Sequence, residues 1–185
     1  MSIKYIIDLD NTLVFTDDLN NKAYKHSLKS HGFIHPDNSG RLTREIIFMN
    51  YSITNLELQN KIIYCKQKYF YKNIEETVLN DYLFKLVKEK NKSDCILWTS
   101  ATPERADKIL TFYNLHHFFE SIVFCKKKDI PNDIKYLCDY LSTEKDNLLF
   151  FEDNKAIIEH LKAISCNVFV IRKENLSINE TTEKG

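Results

Sequence analysis

Five short apolar runs punctuate the chain: Ile3–Ile7, Asp94–Trp98, Ser121–Phe124, Asn147–Phe151 and Asn167–Ile171. They are rich in β-branched or aromatic residues and apolar almost throughout. Runs of this kind suit strands covered on both faces of a parallel sheet. The stretches between the later runs keep helical spacing instead. Leu79, Leu83, Leu86 and Val87 share a helical face before the second run. Thr102-Pro103-Glu104 reads as an N-cap with proline at the first helical position, followed by Ile109, Leu110 and Tyr113 as an apolar face. Pro131 opens a stretch carrying Ile134, Leu137, Cys138 and Leu141, and Ile157, Ile158 and Leu161 line another. Strand alternating with helix predicts an α/β fold, a three-layer Rossmann-like parallel sheet joined by right-handed crossovers.

Residues 16–73 break the alternation, because they contain no convincing strand. Asp18 to His31 has a helical pattern closed by Gly32, a good C-terminal residue. Thr54-Asn55-Leu56-Glu57 reads as a capping box leading into a long helix through Tyr71. The expected organisation is a sheet core of residues 1–15 and 74–185 with a helical insertion at 16–73. Hinges are expected near Val14–Asp17 and Asn73–Val78. The polar tail after Arg172 is expected to fray.

Composition narrows the function. Three glycines in 185 residues exclude a Walker loop and a dinucleotide fingerprint, both of which need clustered glycines near phosphate. Lys+Arg and Asp+Glu are equal at 26 each, so no bulk charge favours nucleic acid. The five cysteines are odd in number, widely spaced and without a C-x-x-C pair. A disulfide framework or zinc site is therefore not expected, and a reducing compartment is. Asp8 interrupts the N-terminal apolar run before a signal peptide develops, and no stretch approaches the ~20 apolar residues that span a bilayer. These observations predict a cytoplasmic protein with no membrane partner.

Four segments carry candidate chemistry, each at the end of an expected strand. Ile6-Ile7-Asp8-Leu9-Asp10-Asn11-Thr12 places two carboxylates at the carboxyl end of a strand, where open α/β sheets bind ligands. D-N-T is also ordinary turn chemistry. Leu97-Trp98-Thr99-Ser100 offers a hydroxyl to a phosphate oxygen, or a helix cap. Lys126-Lys127-Lys128 offers one cation to the same crevice, or a solvated loop. Phe150-Phe151-Glu152-Asp153-Asn154 adds two more acids, one of which could cap the next helix. At about 4 Å and an effective dielectric of ~20, each like-charge pair costs ~4 kcal/mol. A divalent ion would reverse that cost, and oxygen-only ligands favour magnesium over zinc.

Taken in order, these segments resemble the four motifs of the haloacid dehalogenase-like hydrolase superfamily, over about residues 1–171. The stretch from Leu13 through Ala23-Tyr24 to His31-Gly32-Phe33 is similar to the start of the small helical cap of its subclass I. The resemblance implies a magnesium-dependent phosphatase acting on a small phosphorylated metabolite through an aspartyl-phosphate. By resemblance, Asp8 is the nucleophile and Asp10 the general acid and base. Magnesium is implied at Asp8, the Asp10 carbonyl and Asp153, with Glu152 beside it. Thr99 and one lysine, Lys128 before Lys127, are implied to hold the phosphoryl group. Leu9, Asn11, Thr12 and Ser100 are implied to surround it.

The lysine run departs from the family's K-P-x-P pattern, because Pro131 lies further on. Phe15 stands where many capped members carry an acid, and Asp10 argues against dehalogenation. Arg41 and Arg44 in the insertion, and Arg105 near the second motif, could meet an anionic substrate or be ordinary solvated charges. His31 and His35, separated by Gly32, read as loop residues rather than ligands. Rival functions are a phosphomutase of the same superfamily, an inactive binding protein, and a receiver domain, whose phosphoacceptor lacks the D-x-D-x-T context.

Overall fold

A computed structural model describes residues 2–35 and 40–173. Two compact units emerge, one made of Met1–Phe15 and the chain from Leu79, the other of Thr16–Val78. The expected boundary at residue 73 therefore moves to Val78. A 3-10 turn at Ile74–Glu76 and the buried Thr77, whose hydroxyl donates to the Ile74 carbonyl at 2.7 Å, close the insertion.

The core unit is a five-stranded sheet in the order β5-β4-β1-β6-β7, all parallel. Its strands are β1 (Lys4–Ile7), β4 (Cys95–Thr99), β5 (Ser121–Phe124), β6 (Leu148–Glu152) and β7 (Asn167–Val170). Each matches one of the apolar runs to within a residue or so. The two-residue strands β2 (Val14–Phe15) and β3 (Val78–Leu79) mark where the chain leaves and rejoins the core. The order reverses at β1, which pairs with β4 on one side and β6 on the other. The carboxyl ends of β1 and β6 therefore form the switch point, the place at which such sheets take ligands.

Burial explains the composition of the runs. Every residue of β4 is buried, because this strand has neighbours on both edges and helices on both faces. Trp98 and Phe150 meet edge-on with centroids 5.5 Å apart, in a core shared with Ile6, Ile96, Leu148 and the inward faces of α6 (Ile130–Leu141) and α7 (Lys155–Ala163). Such an aromatic pair contributes about 0.5–1.5 kcal/mol beyond its area burial.

Caps set the helix starts. Thr102 accepts from the Arg105 amide at 3.4 Å and opens α5 (Pro103–Phe112), as its sequence predicts. Asn80 caps α4 (Asp81–Lys88) in the same way. At α7 the alternative reading of Asp153 as a helix cap drops out: Asn154 accepts from the Ala156 and Ile157 amides at 3.0 and 3.4 Å. Asp153 is thereby left for another task. All five cysteines are free. No helix among the described residues is long and apolar enough to cross a membrane.

The second unit contains α1 (Asp17–Ser30), α2 (Arg44–Asn50) and α3 (Leu56–Lys72). Gly32 follows α1 with φ 81, the left-handed conformation that favours glycine. α1 and α3 are joined by the buried Ser27 hydroxyl, which donates to the Ile62 carbonyl at 2.7 Å. Leu28, Leu42, Ile47, Ile53 and Ile62 form the unit's own apolar core. The cap of α3 is Asn55, one residue beyond the expected Thr54, and it accepts from the Leu58 amide at 2.9 Å. α2 has no counterpart in the sequence reading.

One ion pair ties the loop before β4 to β1. Lys4 Nζ donates to Asp94 Oδ1 at 2.7 Å, with both side chains mostly covered. That hydrogen bond holds the Asp94 carboxyl below its ordinary 3.8. A carboxylate whose folded pKa is depressed stabilises above the unfolded value and loses that contribution as pH falls through the folded one. Asp94→Asn is therefore expected to cost up to about 1 kcal/mol at pH 7 and almost nothing near pH 2. Urea unfolding of both proteins at the two pH values checks this.

Candidate active site

The loop after β1 is built to present two carboxylates. Asp8 continues the strand, its amide donating to the Phe151 carbonyl of β6 at 3.1 Å. The chain then turns back on itself: Asn11 takes φ 62, and its amide donates to the Val14 carbonyl at 2.7 Å. Asparagine is among the few residues that adopt this conformation readily, which explains the D-N-T sequence. The turn is held from outside by Asn80, buried in the core. Its side chain donates to the Thr12 carbonyl and its amide to the Leu13 carbonyl, both at 2.9 Å.

Lys127 meets this loop from the end of β5. It lies in the left-handed region with φ 50, and its ammonium donates to Asp8 Oδ1 at 2.6 Å and Glu152 Oε2 at 2.7 Å. The same Nζ lies 4.2 Å from the centroid of the Trp98 ring. All three charged side chains are at most 8% exposed. Burial pushes the Asp8 carboxyl up to about 8, with Lys127 opposing the rise and Glu152 adding to it. Burial alone would push the Lys127 ammonium down, but the charges and hydrogen bonds of Asp8 and Glu152 hold it above the ordinary lysine value. Lysine, with its single compact charge, suits a position between two carboxylates.

Glu152 closes β6 and is engaged at both oxygens. Oε2 faces the lysine, while Oε1 accepts from the Asp153 and Asn154 amides at 3.2 and 3.0 Å. Its place is therefore that of an anchor, for the lysine and for the loop. Asp153 accepts from the Thr12 hydroxyl at 3.3 Å, which sets its carboxylate beside the first motif. One oxygen each from Asp8, Glu152 and Asp153 lie within 4.8 Å of one another. The donor set is entirely oxygen, on two adjacent strand ends, and it fits a hard divalent ion such as magnesium.

Thr99 ends β4, fully buried, and its hydroxyl accepts from the Ala101 amide at 3.1 Å, fixing the loop that starts α5. From the first turn of α5, Arg105 reaches Asp10. Its Nη2 donates to Oδ1 at 2.7 Å, and its Nε lies 3.2 and 3.3 Å from the two oxygens.

Several expectations change here. The lysine at the site is Lys127; Lys128 and Lys126 are exposed. The physical reason is the left-handed turn at Lys127, which sends that side chain inward between two exposed neighbours. Leu9 has a fully buried side chain, so only its backbone faces the loop, accepting from the Leu13 and Val14 amides. Thr12 is fully buried and supports Asp153. Ser100 is exposed, in contrast to Thr99. Arg41 and Arg44 are exposed in the second unit, and Arg41 Nε lies 3.2 Å from Asp17 Oδ1. The sequence reading missed Trp98 and Asn80 as supports of the site. Their signals were slight: the one tryptophan of the chain, just before the second motif, and an asparagine opening a helix.

Residues 5–171 match the model of the haloacid dehalogenase-like hydrolases. The chain belongs to that family. Solved structures of the same fold include a predicted phosphoglycolate phosphatase from Haemophilus somnus (15% identity, TM-score 0.74, covering 90% of this chain and 84% of that one). A predicted phosphatase from Clostridium acetobutylicum is 20% identical, with TM-score 0.66 and coverage of 95% and 97%. A protein from Thermotoga maritima provisionally named a β-phosphoglucomutase is also 20% identical, with TM-score 0.67 and coverage of 92% and 85%. At these identities the likeness is one of fold. No curated protein matches the sequence. As a member of the haloacid dehalogenase-like hydrolases, the chain has the parallel α/β core expected of it.

Proposed function

We propose that this hydrolase is a magnesium-dependent phosphatase of a small phosphorylated metabolite, working through an aspartyl-phosphate on Asp8. The observation that supports this most is the bridge from Asp8 through Lys127 to Glu152 at the switch point of the sheet. A carboxylate attacking a phosphate dianion must approach like charge, so cations have to stand beside the nucleophile. Lys127 stands there already.

In this reading an oxygen of Asp8 attacks phosphorus and the bond from phosphorus to the ester oxygen breaks. Asp10 gives its proton to the departing oxygen. Water then attacks the aspartyl-phosphate, Asp10 takes a proton from it, and the bond from phosphorus to Asp8 breaks, restoring the free carboxylate. Lys127 and the Thr99 hydroxyl hold the phosphoryl oxygens. Asp8, Asp153 and the Asp10 carbonyl are the groups that would hold magnesium, with Glu152 fixing the lysine. Bound magnesium would supply charge neutralisation between nucleophile and phosphate. Among the described residues, Asp8, Glu152 and Asp153 gather their oxygens beside the Lys127 ammonium, and a divalent ion there would offset carboxylate charge that one lysine leaves over.

Purified protein is expected to release phosphate from p-nitrophenyl phosphate only with magnesium, with activity lost in EDTA and regained on adding the metal. Turnover unaffected by chelation would contradict the reading. A phosphomutase would share the first step and pass the phosphoryl group to a sugar hydroxyl, which a comparison of water and sugar acceptors separates.

A further inference from the structure

Trp98 carries a cost that its place in the core does not explain. The side chain is buried in one apolar cluster with Phe150, Ile130 and Ile134. Its indole N–H finds no acceptor among the described residues. A buried tryptophan ordinarily pairs that group, and a buried donor left unpaired is unfavourable. Phenylalanine or leucine would fill an apolar core without it. What the indole adds is its face, which attracts a cation more strongly than any other aromatic side chain.

A cation lies over that face. Lys127 Nζ is 4.2 Å from the ring centroid, well inside the roughly 6 Å over which such contacts act. The ammonium has three hydrogens to give. The Asp8 and Glu152 carboxylates accept from it at 2.6 and 2.7 Å. The Lys127 side chain is 5% exposed and Trp98 is 1% exposed, so the contact is desolvated, the setting in which cation–π attraction is largest.

Two roles suit the ring. One is bulk alone, which leaves the unpaired N–H without a purpose. The other is to hold the ammonium. A hydrogen-bond acceptor would fix the direction of one N–H, whereas a ring face attracts the whole charge. The lysine can then turn a hydrogen from a carboxylate to a phosphoryl oxygen while its nitrogen stays in place.

Resting on the phosphatase reading, we infer that Trp98 is a positioning residue for Lys127: its indole face keeps the ammonium beside Asp8 as the phosphoryl group arrives. The attraction depends on the electron density of the ring, and filling the core depends on its shape. Fluorine separates the two, because it draws electrons from the face and leaves the shape nearly unchanged.

Trp98 is the one tryptophan of the chain, so its ring can be changed alone. The test places mono-, di-, tri- and tetrafluorotryptophan at position 98 in the full chain. Each protein is assayed for kcat/KM on p-nitrophenyl phosphate with magnesium. Each is also unfolded in urea with EDTA, alongside the same series in a Lys127→Met background. kcat/KM is expected to fall stepwise with fluorine number, by about 10-fold across the series. The urea midpoint should fall in the same order when Lys127 is present. In Lys127→Met it should stay level, since no cation is left for the ring to hold. A level kcat/KM series, a level urea series with Lys127 present, or the same urea slope in both backgrounds overturns the inference and leaves the phosphatase reading intact. A wild-type protein inert toward every phosphate ester overturns both.

Discussion

Asp8→Asn is expected to abolish phosphate release, by at least about 10³-fold, while leaving the protein folded. Asparagine has the shape of aspartate and can accept the Lys127 hydrogen bond, but its amide cannot form the acyl-phosphate. The native carboxyl sits in a buried position that pushes its pKa up to about 8, so removing its charge relieves a desolvation cost as it removes an attraction. The two changes oppose each other, and the thermal midpoint should stay close to wild type. Steady-state assays with circular dichroism melting check both parts. Full activity in Asp8→Asn would remove the nucleophile assignment.

The second large effect belongs to Lys127. Its ammonium is 5% exposed and shared between two buried carboxylates, so deleting it leaves Asp8 and Glu152 facing each other without their cation. Breaking a buried pair by removing one partner costs about 3–5 kcal/mol. Lys127→Met should therefore lose stability on that scale in the absence of metal. It should also lose at least about 100-fold in phosphate release, as an electrostatic contact to the transferring group disappears. Lys128→Met, one residue away and exposed, should change stability by less than about 0.5 kcal/mol. Urea unfolding with EDTA and matched activity assays separate the two lysines. Loss of activity in Lys128→Met with none in Lys127→Met would reverse the assignment.

That contrast shows where the sequence was readable. The five strands stood out because a parallel sheet covered on both faces demands unbroken apolar runs, and β4 supplies five consecutive buried residues. The motif positions followed, because each lies directly after such a run. The choice among three adjacent lysines did not, since identical side chains differ only through the turn that carries them. No glycine marks the left-handed residue at Lys127. The cap at Asn55 was missed by one residue for a similar reason: the capping-box pattern pointed to its neighbour Thr54, an acceptor of the same kind. The helix α2 was hidden by Ile46-Ile47-Phe48-Met49, four consecutive apolar residues without helical period, of which Ile47 alone is fully buried. Arg105 was visible as a charge near the second motif. Its partner Asp10 lies 95 residues away in sequence, and only the pairing of β1 with β4 brings them together.

The central claim is that phosphate passes through a covalent bond to Asp8. Rapid acid quenching during turnover, followed by borohydride reduction and peptide mass spectrometry, reads that bond directly. The account predicts a reduced aspartyl residue at position 8, formed only when phosphate ester and magnesium are both present. Steady phosphate release with an unmodified Asp8 peptide, or modification at another residue, would contradict it.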